Sequence, residues 1–175
     1  SFVAYGSQWA HASSAVNRLY KGYSAEGGIH SPMIIKMPYQ NNGNGIDTAF
    51  STIMDLAPTF LDLAGTKYPS TYDGRSITSC KGSSILPLLK KKKNYVHDEN
   101  YVMGWELFGR CALRKGKWKI TKIEPPFGKG VFELFNMDED PTESHDLSKQ
   151  YPDKYNELLN DWKAYVKDNG VILGN

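Results

Sequence analysis

The side chains that could carry chemistry are few and scattered. Cys80, in Ser79-Cys80-Lys81-Gly82, and Cys111, in Arg110-Cys111-Ala112, lack the CxxC spacing of a paired metal site. Each reads as a buried free thiol before it reads as a nucleophile or half of a disulfide. His11, His30, His97 and His145 form no HxxxH or HxxE pair, so each reads as a surface or packing histidine. No GxxxxGK[ST] loop is present to cradle a phosphate. Asp138-Glu139-Asp140, beside Pro141, would hold a cation weakly and reads as a solvated turn. No complete catalytic set emerges from these residues.

One stretch is more informative. Trp9-Ala10 is followed by Arg18-Leu19-Tyr20-Lys21 and then by Glu26-Gly27-Gly28-Ile29-His30-Ser31-Pro32, with Lys21 five residues before Glu26. By residue type alone, Lys21 reads as a solvent-exposed lysine. As a pattern, the stretch resembles the sulfatase family and, within it, the arylsulfatases. Further matches follow in family order. Asp55-Leu56-Ala57-Pro58-Thr59-Phe60-Leu61 through Gly65 is similar to the family's Asp-x-x-Pro-Thr-x-Leu-x-x-x-Gly helix. Asp73-Gly74-Arg75-Ser76, or the later Gly82-Ser83-Ser84-Ile85-Leu86-Pro87-Leu88-Leu89, resembles its Gly-x-Ser-x-x-Pro-x-Leu segment. Arg114-Lys115-Gly116-Lys117-Trp118-Lys119 resembles its Arg-x-Gly-x-Trp-Lys hairpin. Glu133-Leu134-Phe135-Asn136 with Asp140-Pro141-Thr142-Glu143 and Asp146-Leu147 resembles its ending. Each piece is weak alone; together and in order they cover nearly the whole chain.

The resemblance implies the C-terminal part of an α/β, alkaline-phosphatase-like fold whose whole protein hydrolyses sulfate esters. Family members generate a formylglycine nucleophile from a Cys-x-Pro-x-Arg or Ser-x-Pro-x-Arg motif, and none occurs here. Asn41 to Gly45 and Asp73-Gly74 are out of order for the family's calcium ligands. The nucleophile and Ca2+ are therefore expected outside this chain, no metal ligand within it, and the isolated chain is expected to be inactive. Lys21 falls where the family's lysine contacts a sulfate oxygen, and His30 is a candidate neighbour of the bound substrate. An ammonium about 4 Å from the charge that develops on sulfate contributes roughly 4 kcal/mol at an effective dielectric near 20, before desolvation. Arg18 is expected to pair with a carboxylate. Glu26, Gly27 and Gly28 are expected to be structural, the glycines through positive φ. Trp9, Tyr20 and Tyr23 would line an aryl pocket or pack in the core. The implied partners are a small-molecule sulfate ester and the N-terminal part of the same protein. The alternatives are a non-catalytic binding module or pseudoenzyme recognising an anion or a protein, and a related phosphate-ester hydrolase.

Secondary structure must position these residues. Residues 1–30 read as irregular, and Met33-Ile34-Ile35-Lys36-Met37 reads as a short buried strand closed by Pro38. Tyr39 to Gly45 reads as a loop. Ile53, Leu56, Ala57, Phe60, Leu61 and Ala64 recur at helical spacing, with Asp47 or Ser51 as cap, a break near Pro58, and a stop at Gly65. Tyr68 to Ser84 reads as a long loop and 84–89 as a helical turn. Lys90 to Lys93 form a solvated boundary. Four strands follow, at Tyr101–Phe108, Cys111–Lys115, Lys117–Ile123 and Val131–Phe135, in an antiparallel meander. A helix then carries Tyr155, Leu158, Leu159, Trp162, Tyr165 and Val166 on one face, from Pro152 to Gly170. The domain reading is that residues 1–92 complete a large α/β domain and residues 93–175 form a small one, a sheet packed on the last helix.

The bulk numbers fit this reading. A chain of 175 residues, 40% hydrophobic and 23% charged, can bury a core. Its net charge of +2 gives no reason to expect nucleic acid, and no apolar run is long enough to span a membrane. A start at Ser1-Phe2-Val3 is neither a native start nor a signal peptide, so the length is expected to be that of a piece. The lack of an Asn-x-Ser/Thr sequon favours cytoplasm or periplasm over the lysosome.

Overall fold

A computed structural model describes residues 6–37 and 45–173. The start at Ser1-Phe2-Val3, Pro38 and most of the loop at 39–45 lie outside the described residues. The chain divides into two compact units, one from Ser1–Met33 with Glu99–Asn175 and the other from Ile34–Asp98.

The first unit is built on a four-stranded antiparallel sheet in sequential order: β3 (Val102–Leu107), β4 (Arg110–Lys115), β5 (Trp118–Lys122) and β6 (Phe132–Asn136). These are the expected meander strands, joined by tight connections at Phe108-Gly109 and Gly116-Lys117. Alternation sets the two faces. Cys111, Leu113, Ile120 and Leu134 point to one face and form the core with Leu158 and Trp162 of α5 (Pro152–Asn169). Tyr155, Leu159, Tyr165 and Val166 pack around that core, so the helix presents the apolar face its periodicity predicts. Pro152 opens it and Gly170, at φ 62°, closes it in the left-handed conformation. The opposite sheet face carries Ala112, Lys119, Thr121, Glu133 and Phe135, all buried. Against that face lies the segment from Arg18 to Ile29. The expectation that residues 1–30 are irregular is corrected here: Gly6–Ser14 forms α1 and Glu26–Ile29 forms the single turn α2.

In the second unit, a 3₁₀ turn at Ile53–Asp55 runs directly into α3 (Leu56–Leu63). The cap is neither Asp47 nor Ser51. Thr52 takes that place, its amide and hydroxyl donating to Asp55 Oδ2 at 2.6 and 3.2 Å. Asp47 instead accepts from the Ala49 amide. Pro58 causes no break, because it sits in the first turn of α3, where no helical donor is lost. Gly65 ends the helix at φ 66°. The expected loop at 68–84 contains a small hairpin, β1 (Thr71–Tyr72) and β2 (Arg75–Ser76), turned by Asp73-Gly74 with φ 49° and 70°. The short helix α4 (Leu86–Leu89) packs on α3.

Two expectations about apolar segments fail. Residues 33–37 form no strand, and Ile34 is 97% exposed. A strand needs a neighbour for its backbone donors and acceptors, and none among the described residues pairs with this segment. The helical stripe of α3 also faces outward. Phe60 is 64% exposed, whereas what is buried is Thr59 of the helix and Asp55 of the turn before it.

Candidate functional site

Lys21 sits on a loop whose path is set by the glycine pair that follows it. A Cβ on Gly27 would lie 2.0 Å from the Leu19 carbonyl oxygen, and one on Gly28 2.0 Å from that of Tyr23. The loop therefore rests directly on the backbone of α2. The amide of Gly27 donates to Arg18 O at 2.9 Å and that of Gly28 to Ala25 O at 2.8 Å. This corrects the expected reason for the glycines: neither has positive φ, and what excludes a side chain is close backbone approach. Other elements hold the loop from the sheet side. Arg110 Nη1 donates to Gly22 O at 2.7 Å while its guanidinium lies 4.1 Å over the Tyr23 ring. Ser24 Oγ donates to Cys111 O at 3.1 Å. Arg18 is paired as expected, to Glu133 at 3.4 Å, and also donates to Phe127 O.

Lys21 itself is exposed and has no ion-pair or hydrogen-bond partner among the described residues. It lines an open groove with Tyr23, Ser24, Trp105, Tyr165 and Ile172. The groove is mostly apolar, and Lys21 is the one cation among its lining residues. Tyr20 and Tyr23 belong to an edge-to-face series from His11 to Phe127, with ring centroids 4.7, 5.3 and 5.6 Å apart. Burial and the neighbouring Tyr23 raise the Tyr20 phenol above its ordinary pKa. Trp9 is exposed and outside that series.

Beneath the loop is a buried charge network that sequence reasoning did not foresee. Lys119 Nζ lies 2.7 Å from Glu26 Oε1 and 2.9 Å from Glu143 Oε1. The Lys119 side chain is 0% exposed. The Glu26 amide donates to Glu143 Oε2 at 2.8 Å, and Thr121 Oγ1 to Glu143 Oε1 at 3.1 Å. Three motif segments, those of Glu26-Gly27-Gly28, of Trp118-Lys119 and of Asp140-Pro141-Thr142-Glu143, thus meet through their charged residues. Burial lowers the Arg114 guanidinium, and the charges of Glu26 and Asp138 push it back up. His30 is exposed, with Nδ1 3.4 Å from Glu26 Oε2. No contact joins His30 to Lys21 among the described residues.

The remaining candidates have structural places. His97 Nε2 is 2.9 Å from both oxygens of Asp55, in the second unit, with its side chain buried. Asp55 also accepts from the amides of Thr52 and Ser83. Thr59 Oγ1 donates to Asp55 O and accepts from the Ile85 amide. A Cβ on Gly82 would meet Met54 O at 2.1 Å. The helix motif and the Gly82 segment are therefore bound to each other, and Gly82 to Leu89 is the segment that meets the Asp-x-x-Pro-Thr helix. Cys111 is a buried free thiol, raised to about 11 chiefly by burial, and Cys80 is a half-buried one. Asp140 organises its turn by accepting from Thr142, Ser144 and His145. Burial alone would raise its pKa, but these donors outweigh it and lower it. His145 is exposed. Among the described residues no three His, Cys, Asp or Glu side chains are grouped to hold a metal ion.

Comparison with known proteins bears on the whole arrangement. The family model described as N-sulphoglucosamine sulphohydrolase, C-terminal, matches residues 18–169. An uncharacterized sulfatase of Schizosaccharomyces pombe is 37% identical over 173 residues, which covers 98% of this chain and 31% of that protein. Arylsulfatase K of Xenopus laevis is 28% identical over 90% of this chain and 30% of its own length. An N-acetylglucosamine-6-O-sulfatase of Bacteroides thetaiotaomicron is 27% identical, over 79% of this chain and 25% of its own. The chain thus spans about a third or less of the curated relatives it matches. The crystal structure of Ps i-CgsB in complex with k-i-k-neocarrahexaose has a TM-score of 0.49 and 26% identity, over 66% of this chain and 24% of that one.

Proposed function

The chain belongs to the family of N-sulphoglucosamine sulphohydrolase C-terminal domains, and from that premise we propose that it is the C-terminal part of a sulfate-ester hydrolase in which Lys21 contacts the substrate sulfate. As a member of that family it is the C-terminal portion of an α/β sulfatase. The nucleophile, a formylglycine, and the calcium ligands belong in this reading to the part of the protein outside the chain. The physical partners are a sulfate ester and that N-terminal part.

The observation that carries the proposal is Lys21 itself. It stands five residues before Glu26-Gly27-Gly28, exposed at the edge of the groove, with its ammonium unengaged by any described carboxylate. What distinguishes Lys21 from other exposed lysines is its place in the motif and beside the groove, whereas Lys119, fully buried and ion-paired, is closed to a substrate. In sulfate-ester cleavage the S–O bond to the alcohol breaks and charge gathers on the bridging and non-bridging oxygens. A fixed ammonium beside them favours that distribution, by roughly 4 kcal/mol at about 4 Å and an effective dielectric near 20. The loop backbone is already held by the glycines and by Arg110, so the ordering left for binding is that of the Lys21 side chain. His30, the residue that follows α2 and lies beside Glu26, is proposed as a neighbour of the ester, without a role in proton transfer.

The test uses the whole protein, with 4-nitrophenyl sulfate as substrate and inorganic sulfate as ligand. Lys21→Ala should lower kcat/KM by about a hundredfold or more and weaken sulfate binding. Wild-type values in that variant would exclude the assignment. Sulfate binding without any turnover by the wild type would favour a binding module instead.

A further inference from the structure

We infer that Glu26, Lys119 and Glu143 are positioning residues for Lys21, so that the small sheet, through a buried ion network, sets the backbone from which the Lys21 side chain reaches toward the site. The inference rests on the reading of Lys21 given above. Two lines of geometry support it. First, the network reaches Lys21 through a short, stiff path. Lys119 on β5 fixes the Glu26 carboxylate at 2.7 Å, and Glu143 fixes both that lysine and the Glu26 amide. Glu26 opens α2, whose next two residues are the glycines on which the Arg18–Tyr23 backbone rests. The contact between Gly27 and Leu19 O leaves no room even for a methyl group. A displacement of α2 must therefore displace the loop, and with it Lys21.

Second, stability alone does not call for such a network. Replacing buried ion pairs by apolar residues of similar volume is often neutral or favourable, because desolvation offsets the attraction. The neighbouring residues Ala25 and Ile123 show that an apolar contact is available at this interface. What the ions add is one permitted arrangement. Both carboxylates converge on one ammonium, Thr121 fixes the second carboxylate at 3.1 Å, and no buried side-chain polar atom is left without a partner among the described residues. Sliding α2 along the sheet would strand a buried charge, which is a steep restoring force. Placement to within a fraction of an ångström is what a charge-stabilising lysine requires, since a shift of about 1 Å can cost on the order of a hundredfold in rate.

The experiment is a double-mutant cycle in the whole protein, read as kcat and KM for 4-nitrophenyl sulfate and as affinity for inorganic sulfate. Glu26→Gln keeps the shape and one acceptor but removes the charge. It should lower kcat/KM roughly tenfold, mainly through kcat, and add less than about twofold in a Lys21→Ala background, because both changes act on one group. Thr121→Val, which deletes a single hydrogen bond, should lower kcat by roughly two- to fivefold with the same lack of additivity, and serves if Glu26→Gln does not fold. A loss from Glu26→Gln or Thr121→Val that multiplies in the Lys21→Ala background overturns the inference, as does wild-type kcat in both. Wild-type behaviour of Lys21→Ala, or a wild-type protein that neither cleaves the ester nor binds sulfate, overturns the underlying reading of Lys21 instead.

Discussion

Asp55 offers the most quantitative prediction, because its partners can be counted. Its carboxylate is fully buried. It accepts from the Thr52 amide at 2.6 Å, the Ser83 amide at 2.8 Å and His97 Nε2 at 2.9 Å. Asp55→Ala removes these three at once, together with the longer contact from the Thr52 hydroxyl at 3.2 Å, which water can replace. Each half-buried amide left unmet costs about 1 kcal/mol, at the low end because water can partly reach it, and the imidazole contact to a charged group adds about 1.5–2. The sum is about 3.5–4 kcal/mol. Asp55→Asn keeps one carbonyl acceptor and should lose roughly half as much. The assay is hydrogen exchange at the Thr52 and Ser83 amides in the native protein, supported by denaturant unfolding. A loss of 3.5 kcal/mol in the local opening energy speeds exchange at Ser83 by several hundredfold, since about 1.4 kcal/mol corresponds to tenfold. Exchange at β4 and β5, in the other unit, should change far less. An Asp55→Ala protein with Ser83 exchange within about fivefold of wild type would refute the view that this carboxylate ties α3 to the Gly82 segment.

Two further predictions follow from the first unit. Leu158, wholly buried against the sheet, should cost about 2–5 kcal/mol as Leu158→Ala, read by thermal or urea unfolding. Asp146 accepts from Lys129 at 2.8 Å and from the amides of Leu134 and Ser148. Burial alone would raise its pKa, but Lys129 and these amides outweigh it and hold it at about 2, down from 3.8. A depressed pKa means its stabilising contribution is complete above about 4 and is lost as pH falls toward 2. Asp146→Asn should therefore cost about 1 kcal/mol at pH 7, allowing for partial exposure, and flatten that stretch of the acid-unfolding curve. An unchanged acid limb would argue against the pairing.

Much of the first unit was legible in the sequence because its signals are local. The α5 stripe repeats with helical period from Tyr155 to Val166, bounded by Pro152 and Gly170, and the strands alternate between short turns. The buried side of the sheet was not legible. Trp118-Lys119-Ile120-Thr121-Lys122 alternates like a strand with one wet face, and only the fold shows that Lys119 meets a carboxylate 93 residues away. Dihedral freedom is the local reason for a glycine pair, whereas in α2 the reason is contact with carbonyls up to nine positions upstream, which no local rule encodes. In α3 the apolar period was real but pointed outward, because the side that packs is held by Asp55 and Thr59 through partners near Ser83 and Ile85. The apolar run at 33–35, with its two β-branched isoleucines, carries strand propensity, but no described segment pairs with it, and propensity alone does not make a ladder. Lys21 could be singled out only by its spacing from Glu26; nothing in its own surroundings in the sequence distinguishes it from a surface lysine.

The central claim is that Lys21 meets the sulfate. The most direct measurement is a crystal structure of the whole protein with inorganic sulfate or an uncleaved sulfate ester in the site. In that structure Lys21 Nζ should lie about 2.7–3.2 Å from a sulfate oxygen, with Gly27 and Gly28 still seated beneath the loop. A sulfate bound in the site with the Lys21 ammonium turned to solvent would contradict it.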